Sequence, residues 1–558
     1  MLENVKKRLN AAGIIVPPVP RKDFWTDPNH FNLEEDPLEH FPGAELLGRL
    51  PSKRSVDVKR SILGVGFETL DRDTFDPRKT IPFLAESGVK FARCQTGWMK
   101  CEKVPGEYDF SWLDEVVNSL AGIGIETWFS LSFGHPVHTP AAAYEKAWRE
   151  AAGKIVPGWA RGWVGEVPLY HGEKGMNAWK QYVRALCRHF RRRVRYYEVW
   201  NEPETFWCHN GKSLWDELSL EEKARDYTRL VAKTAEAVHA EIPDAKIIAV
   251  AAQTGTSYIK ALGKNKLADH IDIFSYHFYG PVPEEFIGER VNHLRACLRP
   301  SDPAKKIRFW QGESGRASGK SMLFSFPTEM AQAKYLTRRF LTDLACGAEL
   351  SSIFTVTDFL CYYPDGRDQY YGVIDAKHNC GKLAYYAMQG MGFLFDGLVN
   401  APDNFCAFRP DNWQAFEPRA PYRVEAHAFR RNGKPLFAFW NPEHVELSAP
   451  AVYGSIYMLM DDAEMFENPV VIDPIRRNIW QLDEQLVQPT LEGGNFYGAL
   501  RIHRFPVMDY PLFIADASMF DEIQNSSFPV FLNCSRESRE VPEFIVPTLI
   551  EKNTIFFG

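Results

Sequence analysis

Tyr196-Tyr197-Glu198-Val199-Trp200-Asn201-Glu202-Pro203-Glu204 decides how this chain folds. Five residues of strand character run into a polar pair, and Pro203, with no N–H to give a ladder, stops the strand there. A carboxyl, Glu202, is left at the C-terminal tip of a strand with an amide, Asn201, beside it. Further along, Ile307-Arg308-Phe309-Trp310-Gln311-Gly312-Glu313-Ser314-Gly315 repeats the arrangement and delivers Glu313 into a glycine-flanked turn. Around these two stretches, short apolar runs alternate with helical patterns. Strands are predicted to begin near Ile62, Lys90, Glu126, Val194, Lys246, Ile271, Ile307 and Ser352. Eight such units predict an α/β protein built on a (β/α)8 TIM barrel, whose functional groups gather at the C-terminal strand ends.

The barrel is expected over about residues 60–395, within a chain of 558 that is too long for one ordinary domain. Residues 1–59, irregular and rich in proline and charge, read as an N-terminal arm packing on the body. Past 395 helical periodicity fades. Tyr422, Val424, Ala426 and Ala428 alternate, Arg431-Asn432-Gly433-Lys434 is an Asn-Gly hairpin turn, and short runs follow at 436–440, 456–460, 470–472 and 528–532. Residues 396–558 are therefore expected to form a β-sandwich accessory domain, with Pro529 at a sheet edge. Ser111 and Ser219 are expected helix caps. A long excursion at 134–175, holding Trp148, Trp159, Trp163, Tyr170 and His171, separates the third and fourth strands. It either shapes a pocket over the strand ends or forms a surface excursion with its own small core.

Hydrophobic residues make up 45% of the chain and aromatic residues 14%, enough to fill a core and leave rings for a sugar-binding face. A net charge of −7 spread over this length argues against a nucleic-acid partner. None of the ten cysteines forms a CxxC pair. Cys208-His209 hints at a metal, yet no further Cys or His lies at ligand spacing, so neither metal nor cofactor is expected. His171, His209 and His378 have no claim to a role on sequence grounds. No apolar window approaches the roughly 20 residues of a membrane span. The first residues lack an uninterrupted apolar segment, so a cytoplasmic location is expected.

Two carboxyl groups at the ends of strands four and seven suit glycosidic bond cleavage, which sets such a pair on either side of the bond. Taken alone, either glutamate could simply bridge to the next helix. Together they predict Glu202 with a raised pKa as acid and Glu313 ionised as nucleophile. Gly312, Ser314 and Gly315 leave room for a sugar ring, and Asn201 is placed to bond a 2-hydroxyl.

The chain here resembles the clan A retaining glycoside hydrolases, which carry glutamates at these two strand ends, the first within Asn-Glu-Pro. Within the clan it is most similar to glycoside hydrolase family 39, which holds β-xylosidases and α-L-iduronidases. The likeness covers roughly residues 61–395. It includes Tyr108-Asp109-Phe110-Ser111-Trp112-Leu113-Asp114, Phe206-Trp207, Phe354-Thr355-Val356-Thr357-Asp358, Gly372-Val373-Ile374-Asp375-Ala376 and Tyr385-Tyr386. The resemblance implies Glu202 as acid/base and Glu313 as nucleophile, Tyr279 set against the nucleophile, and Arg93 steadying it. Strand alternation places His277 on the same side as Tyr279, although both could be core residues. His135 and Asp358 are candidates for sugar hydroxyls, Trp207 for a stacking platform, and Glu68 is a weaker candidate. Lys100 and Arg316 lie near strand ends where a substrate carboxylate could be met, or are plain surface charges.

The function so read is a retaining, exo-acting glycosidase on small oligosaccharides or glycosides. The alternatives are a transglycosidase on the same site or an inactive sugar-binding barrel. The partner expected is a small carbohydrate, with no nucleic acid and no membrane. The proline-rich arm could also reach a neighbouring subunit in a homo-oligomer.

Overall fold

The computed structural model describes residues 36–150, 161, 163–252, 256–285, 287–319, 328–363, 366–410, 423–445, 449, 451–461, 464–490 and 498–520. The expected run at 528–532, Trp159, the side chain of Trp148 and the proline-rich stretch near Pro17 lie outside the described residues. Eight parallel strands close into a barrel. They are β1 (Leu63–Phe67), β2 (Phe91–Gln95), β3 (Glu126–Leu131), β4 (Tyr196–Val199), β5 (Lys246–Ala251), β6 (Ile273–Tyr276), β7 (Arg308–Ser314) and β8 (Ser351–Ile353). Each begins within two residues of its expected start, and β8 closes on β1 through Ser352 against Gly64.

The inside of the barrel is filled in layers by the two-residue period of its strands. Trp128, Ile248, Ile273, Trp310 and Leu350, joined by Phe91 and Tyr196, form an apolar plug separate from the main core. Two residues further along their strands stand Arg93, Ser130, Glu198, Val250, Ser275, Gly312 and Ser352, all buried and, apart from Val250 and the glycine, polar. The barrel therefore changes from hydrocarbon to charge in one step, toward the C-terminal strand ends.

The C-terminal part forms two antiparallel sheets, giving the barrel-plus-sandwich architecture expected. One has four strands, running Phe405–Pro410, Val452–Leu459, Leu500–Val507 and Val487–Pro489. The other has seven and contains the Asn432-Gly433 hairpin, with Arg431 paired to Lys434. One of its two edge strands is Ala44–Arg49, which pairs antiparallel with Asn478–Leu482. The irregular composition of residues 1–59 gave no sign of that strand. Helix Glu329–Ala345 is buried on almost every face, because barrel and sheets both cover it. Its charges are matched: Lys334 Nζ lies 2.6 Å from Asp509, and Arg338 forks onto Glu284 at 2.8 and 2.6 Å. Trp440 from the seven-stranded sheet donates to the same Glu284. Ser219 caps helix Leu220–His239 with Glu222 in a full capping box. Ser111, by contrast, is the first residue of its helix and makes no cap. No described helix is long and apolar enough to cross a membrane.

Candidate active site

β4 ends at Val199, and the chain then turns sharply. Trp200 and Glu202 adopt positive φ of 71° and 34°, a conformation that costs about 1–3 kcal/mol in a non-glycine residue and persists only where neighbours impose it. Here Tyr227 donates its hydroxyl to Val199 O at 3.1 Å, and Trp200 Nε1 donates to Phe206 O at 2.5 Å. The turn lifts the Glu202 carboxyl over the barrel mouth.

Glu313 arrives differently. Along β7 the register against β8 slips by one residue between Gln311 and Ser314. A bulge of this kind re-aims the residue within it, so Glu313 faces the same mouth although strict alternation from Trp310 and Gly312 would point it outward. Gly312 is required there: a Cβ would lie 2.0 Å from Ser275 Oγ and 3.2 Å from His277 Nε2.

Arg93 ties the floor of the site together. Its Nε and Nη2 donate to Glu198 Oε1, the former at 3.0 Å. Nη1 donates to Glu313 Oε2 at 2.6 Å and to Glu68 Oε1 at 3.4 Å, and Nη2 to Asn201 Oδ1 at 2.8 Å. Tyr279 donates its hydroxyl to the other Glu313 oxygen at 2.8 Å. His277 Nδ1 stands 3.0 Å from Glu202 Oε1 and 3.6 Å from Glu313 Oε2. Burial holds His277 down to about 4, so the ring is neutral at pH 7, and the nitrogen facing two carboxyl groups is the one that carries its hydrogen. The facing atoms of Glu202, His277 and Glu313 all lie within 4.8 Å of one another.

The two glutamates have different environments. Burial pushes Glu202 up to about 7, with the Arg93 charge opposing and that of Glu198 adding. Burial raises Glu313 too, but the Arg93 guanidinium and the Tyr279 hydroxyl contact its carboxylate and favour the anion. Burial lifts Glu68 and Glu204 to about 8 each, so both are largely protonated at pH 7.

Of the expected site residues, the structure brings together Glu202, Glu313, Asn201, His277, Tyr279, Arg93 and Glu68. Three others are engaged elsewhere. His135 spends both ring nitrogens inside its own loop: Nε2 donates to Glu102 O at 2.6 Å and Nδ1 accepts from Val137 N at 3.1 Å. Trp207 is fully buried among Trp200, Tyr170 and Tyr227 and donates to the Tyr170 hydroxyl, so neither face is open to a sugar. Asp358 receives Lys382 Nζ at 2.6 Å and the Gly372 amide at 2.9 Å. Glu198 escaped the sequence reading. Its signal was present, as a charge between Tyr197 and Val199 inside an otherwise apolar strand.

With this geometry in view, comparison with known proteins gives a consistent picture of the fold. No family model matches the chain. A solved family 39 glycoside hydrolase from the gut symbiont Bacteroides cellulosilyticus WH2 superposes with a TM-score of 0.53 at 16% identity, covering 82% of this chain and 80% of that one. The curated β-galactosidase BbgII of Bifidobacterium bifidum is 29% identical over 119 residues, which is 20% of this chain and 16% of that protein. The β-galactosidase BgaA of Clostridium cellulovorans is 35% identical over 88 residues, 15% of this chain and 12% of its own. The matched part is thus less than a fifth of either curated relative. The fold is thus a (β/α)8 barrel with appended antiparallel sheets, shared with that family 39 enzyme.

Proposed function

We propose that the chain is a retaining glycoside hydrolase acting on β-glycosides, with Glu202 as acid/base and Glu313 as nucleophile. One observation carries this reading: two carboxyl groups face each other within 4.8 Å across a buried mouth, one held by a cation and a phenol, the other met by neutral groups, the His277 imidazole and the Thr205 hydroxyl. Retaining enzymes place their carboxyl groups about 5–5.5 Å apart, leaving no room for water between. Glu313 attacks the anomeric carbon while Glu202 gives its proton to the departing oxygen. Glu202, now a base, then takes a proton from the water that releases the sugar. Arg93 and Tyr279 hold the Glu313 carboxylate in line. Asn201, its Oδ1 fixed by Arg93, is left with its amide nitrogen to bond a sugar hydroxyl. His277 keeps Glu202 oriented without placing a positive charge beside it.

The names of the curated relatives put galactosides first among substrates to try. The proposal extends to exo action on small glycosides. The test is hydrolysis of aryl β-D-glycosides by wild type and Glu313→Gly. Activity in the wild type, its loss in the variant, and rescue by azide with an inverted glycosyl azide are expected. Unchanged turnover in Glu313→Gly would reject the assignment. Long oligosaccharides as first products from a soluble polysaccharide would reject exo action.

A further inference from the structure

Among the described residues outside the active site, two other groups of histidine and glutamate come close enough to share an ion, and their chemistry differs. In the first, Glu102 with His135 and His138, both His135 nitrogens are already spoken for and no lone pair is free. In the second, Glu166 comes from the excursion after β3, His171 from the turn that leads into helix Gly172–Phe190, and His209 from the hairpin after β4. Glu166 is fully buried. Its Oε1 lies 2.9 Å from His171 Nε2 and 3.6 Å from His209 Nδ1. That His209 Nδ1 is itself buried and makes no hydrogen bond among the described residues.

We propose that Glu166, His171 Nε2 and His209 Nδ1 bind one Zn2+ ion that clamps the excursion after β3 to the hairpin after β4. Tetrahedral zinc with ligands near 2.0–2.1 Å sets its donor atoms roughly 3.3 Å apart, between the two separations found here. The carboxylate is already aimed: the Asn210 amide donates to Oε1 at 2.7 Å and the Gly211 amide to Oε2 at 2.9 Å. Such outer bonds orient a ligating carboxylate. His171 Nε2 gives up its hydrogen to coordinate. His209, bound through Nδ1, carries its hydrogen on Nε2, where Asn210 stands 3.2 Å away. An amide flip of Asn210 turns its oxygen to that N–H, completing the shell. Cys208, adjacent on the strand, faces the Tyr144 hydroxyl instead, so the fourth position falls to water. Backbone bonds already lace the two segments, from Cys208 N to Gly165 O at 2.7 Å and Val167 N to Cys208 O at 3.1 Å. The ion would lock that seam beside the turn that carries Glu202. Sequence spacing concealed the set, because its members sit at 166, 171 and 209 and meet only in the fold.

The test is titration of chelator-treated full chain with Co2+, read by its tetrahedral visible band, followed by displacement with Zn2+. One equivalent per chain is expected, lost in His171→Ala and in His209→Ala and kept in His138→Ala. Thermal melting gives the second reading, with Zn2+ raising Tm of the wild type and not of His209→Ala. Absence of a bound equivalent overturns the proposal. So does an equivalent that survives both substitutions, or one that vanishes only in His277→Ala and so belongs to the active-site mouth.

Discussion

Arg93 carries one positive charge among three buried carboxyl groups, Glu68, Glu198 and Glu313. Such a centre holds only if protons make up the difference, and Glu68, raised to about 8, is where one resides. Lysine cannot replace the planar fork that reaches Glu198, Asn201 and Glu313 at once. Arg93→Lys is expected to lower kcat about 10²–10³-fold, a loss of the size seen when one preorganised electrostatic group is removed. Tyr279→Phe leaves Glu313 with Arg93 and the more distant His277 and is expected to cost about 10–100-fold in kcat, with KM little changed. Glu202 sets the pH behaviour. As the proposed acid it gives its proton to the leaving group, so kcat/KM is expected to fall as pH rises through about 7. Stability follows the same proton. Burial raises the folded-state pKa from the ordinary 4.5 to about 7, so the folded chain keeps a proton that the unfolded chain releases. The stabilisation is complete below about 4.5 and is lost as pH climbs to 7. Glu202→Gln never ionises, and at pH 8 it is expected to be more stable than wild type by about 1–3 kcal/mol, measured by denaturant melts, while being nearly inactive.

β7 shows how an element does more than carry a residue. Its bulge between Gln311 and Ser314 turns Glu313 inward, and Gly312 makes the space against β6. Gly312→Ala drives a methyl into Ser275 Oγ, so a stability loss of about 1–3 kcal/mol and a displaced Glu313 are expected. Adding Ser275→Gly removes the clashing atom and is expected to recover part of both, by melts and kinetics. Most of the strands were legible because an apolar run is ended by proline, glycine or a polar pair, although Phe91–Gln95 and Ser351–Ile353 carry polar residues within the strand itself. The two glutamates were legible because they sit just past such runs. Arg93, His277 and Tyr279 followed from alternation and from family likeness. What stayed hidden depends on partners distant in sequence. Trp207 is claimed by Tyr170, Asp358 by Lys382, and His135 by the backbone of Glu102. A local pattern shows that a side chain can bond or stack, not that another group has already taken it.

Barrel and sheets are joined through charge as well as hydrocarbon. Lys334 meets Asp509, and Arg338 pairs with Glu284, which accepts from Trp440, all buried, while Arg338 also donates to the Glu443 carbonyl. Stripping one partner from a buried pair costs about 3–5 kcal/mol, and a chain ending at residue 395 would take Asp509 from Lys334 and Trp440 from Glu284 while uncovering the apolar face that the sheets bury. Such a truncation is expected to be insoluble or molten, checked by near-UV circular dichroism and gel filtration. The edge strand Ala44–Arg49 has a further consequence. Its partner, Asn478–Leu482, lies more than 400 residues later, with the whole barrel between them. On a ribosome adding about 5–20 residues per second, the first strand must wait tens of seconds, unpaired, while the barrel is made. Its exposed Leu46 and Leu47 are then open to any passing sheet edge or chaperone. The seven-stranded sheet is a seal made last from the earliest part of the chain, so a nascent molecule that has finished its barrel has not yet finished folding.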